Sequence, residues 1–176
     1  MEPKVLHFEN PETDDETLIK ELQAMVQADL DDATQLLNGE IRANTNISNR
    51  TNHVLTKIDT YFWAGEMVNT WWPDLVSNAV YLFVQKGTLP QGIKWGFSLA
   101  TGTESTDRKW VAAFDVLARK AYCECGPIGP VDWNVVEDRM GKSGSISEYV
   151  DPIFGGSIKV QFYEGQYGVI PHASLQ

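Results

Sequence analysis

The chain has 176 residues and a mass of 19.7 kDa, which is enough for one full hydrophobic core. Hydrophobic residues make up 43% and charged residues 22%, and these near-average fractions exclude a chain that is disordered throughout. The net charge of −10 is concentrated at one end, because residues 1–40 hold eleven acids and two bases, and such an end disfavours direct nucleic-acid binding.

The first twelve residues are charged, contain Pro3 and Pro11, and lack apolar periodicity. They are predicted to form a mobile acidic arm over 1–12. The N-terminus has neither the basic start nor the apolar stretch of a signal peptide, and the longest uncharged apolar-rich run, 75–85, is far shorter than the ~20 residues that span a bilayer. Two cysteines are too few for a disulfide scaffold. We therefore expect no membrane span and a cytoplasmic location.

A helix start is indicated at Thr13, because Glu16 completes a capping box with it. Apolar residues then recur at three- and four-residue steps, which is typical of one helix face. The stripe predicts a helical oligomerisation region over 13–72, in which copies of the chain pack through Leu22, Val26, Leu30, Leu37, Ile41, Leu55 and Ile58. The polar run 44–52 is either a turn between two antiparallel helices or a polar layer in a continuous coiled coil.

Two groups of residues in this region are predicted to bind a partner. Acids on the helix favour a basic protein surface, and neighbouring tryptophans are typical of interface hot spots. The predicted partner-binding residues are Asp14, Asp15, Glu16, Asp29, Asp31, Asp32, Trp71 and Trp72. The aromatic stretch 61–72 has a second interpretation, as core that joins the helices to the domain that follows.

The remainder, 73–176, is predicted to be a compact α+β domain. Pro73 suits the first turn of a helix, and Ser105 or Thr106 suits the cap of another that buries Trp110. Alternation predicts a strand over 93–99, and 157–163 with 167–170 predicts a C-terminal β-hairpin. The fold class expected from the whole sequence is α+β, with a long N-terminal helical region, either coiled coil or helical hairpin.

No catalytic, metal or cofactor motif is complete. The three histidines lack a visible partner and are expected to be exposed, and Cys123 with Cys125 lacks further zinc ligands. The Gly141-Lys-Ser sequence has Val136 where a phosphate-binding loop needs its first glycine. No cofactor or metal is therefore expected. The acids of the glycine-rich loops 126–156 leave room for a small enzyme as the least favoured function.

These features together predict a non-enzymatic, homo-oligomeric structural or adaptor protein that engages a basic partner. An acidic arm, a self-associating helix and a compact domain form a layout shared by viral nucleoprotein-binding and virion-associated proteins. The alternative is a small acidic inhibitor or immunity-type protein that blocks a cationic site on another protein.

Overall fold

The structure, a computed structural model, describes residues 1–33, 39–165 and 168–176, and for 26–33 and 168 it describes the backbone alone. Within these residues two β-sheets pack face to face as a sandwich, with one helix against the outside of each. The predicted α+β fold with a helical region over 13–72 is wrong. Most of 40–67 is strand, and the helix that precedes it ends at Ala33.

Seven described strands form the larger sheet. All its neighbouring strands are antiparallel except β2 and β11, which run parallel. In spatial order the strands are β1 (Lys4–His7), β5 (Ala79–Thr88), β2 (Glu40–Asn49), β11 (Gly168–Leu175), β10 (Ser157–Gly165) and β9 (Ile146–Val150), with β4 (Glu66–Met67) also paired to β5.

Four described strands form the smaller, antiparallel sheet. In spatial order they are β3 (Thr56–Ala64), β6 (Lys94–Ala100), β7 (Arg108–Asp115) and β8 (Lys120–Pro127). The large rings of Trp95, Phe97 and Phe114 fill the space between the two sheets and are fully buried. The same core also buries the rings of Tyr81, Phe83 and Trp110, so it takes up a large part of the aromatic content of the sequence.

The two helices begin at aspartate caps. Helix α1 (Asp15–Ala33) begins after Asp14, whose carboxylate accepts hydrogen bonds from the backbone and hydroxyl of Thr17. Asp14 therefore caps the helix in place of the predicted Thr13. Helix α2 (Trp133–Gly141) begins after Asp132, whose carboxylate accepts from the amides of the first turn.

Strand β5 shows why helices were predicted where strands occur. Its residues alternate between the space inside the sandwich and the outer face, where Leu18 and Leu22 of α1 cover Val80, Leu82 and Val84. A strand buried on both faces is a continuous apolar run, which lacks the alternation of a half-buried strand. The same holds for β7, because α2 covers its outer face, so the helices predicted after Pro73 and from Ser105 are wrong.

The connections of the sandwich are divided between two ends. Asn49 lies opposite both Leu175 and Ala79, and Leu175 lies opposite Ile158. The connections 50–55 and 151–156 therefore emerge at one end. The turn after Thr88, which contains Leu89, lies at the opposite end, about 30 Å away along the ten residues of β5.

Candidate functional site

The residues predicted to form an oligomer seam do not form one surface. Leu22 and Leu55 are completely buried in different clusters of this chain, Ile41 packs against the core between the sheets, and Ile58 is exposed on β3. Of the rest, Leu37 and the side chains of Val26 and Leu30 lie outside the described residues. The coiled coil is wrong, because its seam is divided between a helix and strands of both sheets.

Asp15, predicted to bind a partner, is instead held within the chain. Its carboxylate accepts two hydrogen bonds from Arg50, the shorter at 2.6 Å, and lies 3.3 Å from Nε2 of the buried His172. Burial alone would raise the pKa of Asp15, but the hydrogen bonds and charges of His172 and Arg50 hold it well below its usual range. Asp15, Arg50 and His172 form a clamp that fixes the start of α1 to the larger sheet.

The other predicted partner-binding residues are scattered. Glu16 pairs with Lys20 on the exposed face of α1, and the side chains of Asp29, Asp31 and Asp32 lie outside the described residues. Trp72 stacks on Phe83 with 4.1 Å between ring centroids and belongs to the core. Trp71 points outward and is half exposed.

The most distinctive surface feature is the connection between β9 and β10, which we call the 151 loop (residues 151–156). The Asp151 carboxylate accepts hydrogen bonds from the backbone amides of Ile153 at 3.0 Å and Phe154 at 3.1 Å. Backbone bonds then close the loop between Asp151 and both Gly155 and Gly156. The two glycines have φ of +73° and +86°, a conformation that other residues rarely adopt. The loop is therefore tightly defined.

Arg108 holds the 151 loop from beneath. Its guanidinium donates to Asp151 Oδ2 at 3.1 Å and to the backbone carbonyls of Phe154 and Gly155, and it lies 5.6 Å from the centre of the Phe154 ring. Burial raises the pKa of Asp151, but the amides of Phe154 and Ile153 and the charge of Arg108 outweigh it and lower the pKa. Loop and guanidinium thus form one hydrogen-bonded unit.

This rigid loop presents large apolar side chains to solvent. Ile153 is 81% exposed, Phe154 56% and Val150, at the end of β9, 69%. We call these three residues the apolar tip. Exposed apolar side chains clustered within residues 150–154, on a loop fixed by buried polar groups, are typical of an interaction site, since folding gains nothing from their exposure.

The acids considered as catalytic in loops 126–156 do not converge on one place. Each has a different cationic partner: Glu137 binds Lys94, Asp138 binds Lys142, Glu148 binds Lys159 and Asp151 binds Arg108. The part of the chain that the structure describes contains no group of three or more His, Cys, Asp or Glu side chains that could hold a metal ion. Both cysteines are buried, and burial raises the pKa of Cys123 to about 11.

A second aromatic cluster lies on the outer face of the smaller sheet. Tyr61, Trp63 and Trp133 pack on one another with centroids 5.1–5.9 Å apart, and Trp133 Nε1 donates to Asp59. Its rings mostly contact each other, and only Tyr61 among them is strongly exposed. These rings pack α2 against the smaller sheet and leave little apolar surface exposed for a partner.

The apolar tip was not predicted from the sequence, although a local sequence signal for it exists. The run Tyr149-Val-Asp-Pro-Ile-Phe-Gly-Gly156 places apolar residues on both sides of Asp-Pro, just before two glycines. Asp-Pro and Gly-Gly indicate turns, so apolar residues between them are expected at a loop surface. That signal could have identified Ile153 and Phe154 without the structure.

The Arg108→Ala variant is expected to mobilise the 151 loop without unfolding the sandwich. Removal of the guanidinium leaves the carbonyls of Phe154 and Gly155 and the Asp151 carboxylate without their shared donor. Hydrogen exchange at the amides of Ile153 and Phe154 should become at least about tenfold faster, because local opening becomes easier. Arg139→Ala, on the exposed side of α2, is the matched control. Unchanged hydrogen exchange at these two amides in Arg108→Ala would show that the 151 loop keeps its conformation without Arg108.

Comparison with known proteins identifies the architecture. Neither a protein-family model nor a curated protein matches the chain. The crystal structure of the lipid binding protein Nakanori at 1.5 Å matches 89% of this chain and 80% of its own, with a TM-score of 0.65 and 11% identity. The two chains share a fold. The Xerocomus chrysenteron lectin XCL matches 77% of this chain and all of its own at 10% identity, but its TM-score of 0.47 supports no argument.

The function predicted from the sequence is wrong. The prediction of a homo-oligomeric structural or adaptor protein, viral or otherwise, depended on a coiled-coil seam. Strands β2 and β3 occupy much of the segment where that seam was expected. The described residues contain no coiled coil, and their strands support neither this function nor the acidic-inhibitor alternative. No helix in the described part of the chain is long and apolar enough to cross a bilayer.

Proposed function

We propose that the protein is a non-enzymatic lipid-binding protein that docks on a membrane surface through the apolar tip. The observation that carries the proposal is the rigid display of Val150, Ile153 and Phe154 at one end of the sandwich. Side chains of this kind partition into the boundary between headgroups and acyl chains. The shared fold with a lipid-binding protein supports the proposal without fixing the ligand.

Rigidity of the loop favours membrane docking energetically. A mobile loop would lose conformational entropy on binding, which subtracts from the gain of burying its apolar side chains. In this protein Arg108 and Asp151 already hold the backbone at Ile153 and Phe154, so less ordering is left for the docking step. Most of the apolar transfer free energy is then available for binding.

The membrane contact extends beyond the tip. Val54, in the connection between β2 and β3, and Val76, just before β5, are also exposed at this end. The strands that carry them lie three to four strand spacings from β9, so the contact would extend roughly 14–19 Å along the sheet. Several separated apolar side chains at one end of the sandwich fit a membrane surface better than a single narrow pocket does.

The net charge of the protein determines which lipid surface it prefers. The net charge of −10 is repelled by a surface rich in anionic lipid. We therefore infer that a zwitterionic or uncharged surface is preferred, and that added anionic lipid weakens binding most strongly at low salt.

Three expectations from the sequence are independent of this proposal and stay predictions. They are self-association, engagement of a basic protein surface, and a cytoplasmic location. Lipid docking by the apolar tip requires none of them.

Flotation with phosphatidylcholine vesicles tests the proposal. The wild-type protein should float with the vesicles, and replacing part of the lipid with phosphatidylglycerol should lower the bound fraction. The Leu89→Ser variant removes an apolar side chain that lies at the opposite end and is about as exposed as Phe154. This variant should float like the wild type. A protein that stays with the soluble fraction for every vesicle composition would contradict lipid binding.

A further inference from the structure

A cleft of about 180 Å³ lies directly beside the apolar tip, on the outer face of the larger sheet. It is formed where the end of β9 and the start of β10 meet Gln176, which follows β11. The side chains that carry the argument are Glu148, Val150, Ser157, Lys159 and Gln176. Val150 belongs to both the tip and the cleft, so the two features form one continuous surface.

The cleft contains charges of both signs next to each other. Glu148 and Lys159 are paired across β9 and β10, with 2.8 Å between Oε1 and Nζ. Both side chains remain about half exposed, so each keeps hydrogen-bonding capacity for a ligand. Ser157 and Gln176 add neutral polar groups at the end of the sheet.

The depth of the charged pair matches the headgroup layer of a docked membrane. Val150 is paired with Ser157, and Glu148 with Lys159, two residues further from the end of the sandwich. Two residues of strand span about 7 Å. The polar layer on each side of a bilayer is roughly 5–8 Å thick. With Val150 at the hydrocarbon boundary, Glu148 and Lys159 therefore lie among the headgroups.

We propose that this cleft binds the headgroup of a zwitterionic phospholipid. The Lys159 ammonium contacts the phosphate, and the Glu148 carboxylate contacts the headgroup cation. One intramolecular ion pair is exchanged for two contacts with a ligand that carries one charge of each sign, so no net charge is buried. An anionic headgroup would match Lys159 alone and leave Glu148 facing a negative surface. This inference rests on the proposed docking of the tip, which sets the depth of the cleft.

The experiment compares two kinds of vesicle, phosphatidylcholine and an uncharged glyceroglycolipid, with the wild type and two variants. Lys159→Met keeps the apolar stem and removes the charge, and Glu148→Gln removes the opposite charge. Each is expected to weaken binding to phosphatidylcholine by about tenfold, as expected for loss of one charged hydrogen bond. Neither should change binding to the glyceroglycolipid.

The matched control is Lys142→Met, which removes an exposed lysine that is paired with Asp138 of α2 and does not line the cleft. It should bind like the wild type. Equal phosphatidylcholine affinity for wild type, Lys159→Met and Glu148→Gln would overturn the headgroup cleft while leaving tip docking intact. Failure of the wild type to bind either surface would overturn the proposed function itself, so the two failures are distinguishable.

Discussion

The double variant Ile153→Ser/Phe154→Ser is expected to lose about a hundredfold of its affinity for phosphatidylcholine vesicles. Full burial of one such side chain is worth about 1.5–3 kcal/mol, so partial insertion of both at the interface accounts for roughly 3 kcal/mol. Both side chains are exposed in the free protein, so their loss should leave the thermal melt unchanged. Vesicle titration, followed by flotation or light scattering, measures the change.

The matched control for that variant is Leu89→Ser/Leu117→Ser. It removes two exposed apolar side chains from turns at the opposite end of the sandwich. If general surface hydrophobicity caused vesicle binding, both double variants would lose affinity equally. A loss confined to the tip variant supports docking by the 151 loop, and equal losses would refute it.

The Arg50→Ala variant is expected to be the most destabilising single change at the clamp. Arg50 donates to Asp15 and to the backbone carbonyls of Pro11 and Thr13, and its side chain is largely buried. Breaking such a pair leaves a largely buried carboxylate without its guanidinium partner, which costs about 3–5 kcal/mol of unfolding free energy. For a chain of this size the melting temperature should fall by roughly 10 °C.

The surface beneath α1 explains why the clamp matters. Beside the apolar patch that α1 covers on β5, buried polar groups of Asn46, Ser48 and Ser174 on the same outer face have no hydrogen-bond partner among the described residues. Such a surface holds a helix less strongly than an apolar one. Lys20→Ala, which removes an exposed pair on the same helix, is the control and should melt like the wild type. An Arg50→Ala melt within about 2 °C of the wild type would show that apolar packing alone fixes α1.

Strand β2 shows why the fold could not be predicted from the apolar pattern. Ile41 continues the three–four stripe of the preceding helix, but Ile41, Ala43, Thr45 and Ile47 also alternate at the period of a strand. Both periods fit the same few residues. Burial on both sides of β5 and β7 removed the alternation that would have marked them. The C-terminal hairpin, with one face less covered, alternates visibly and does occur, as β10 and β11.

The candidate site was harder to predict than any strand. The features that define it are the exposure of Ile153 and Phe154 and the contact of the 151 loop with Arg108, over forty residues away in sequence. Nothing local in the sequence indicates that contact. His172 shows the same limit, because its burial against Asp15 depends on bringing the start of α1 onto β11.

A probe at position 153 tests the central claim most directly. An environment-sensitive fluorophore attached to Ile153→Cys reports whether the tip enters the membrane, and selective labelling is feasible because Cys123 and Cys125 are both buried. With phosphatidylcholine vesicles, emission should shift to the blue and be quenched by nitroxides on the acyl chains, whereas a probe at Leu89→Cys should show neither change. If the emission wavelength at position 153 stays that of a fluorophore in water while the protein is bound to vesicles, docking through the apolar tip is contradicted.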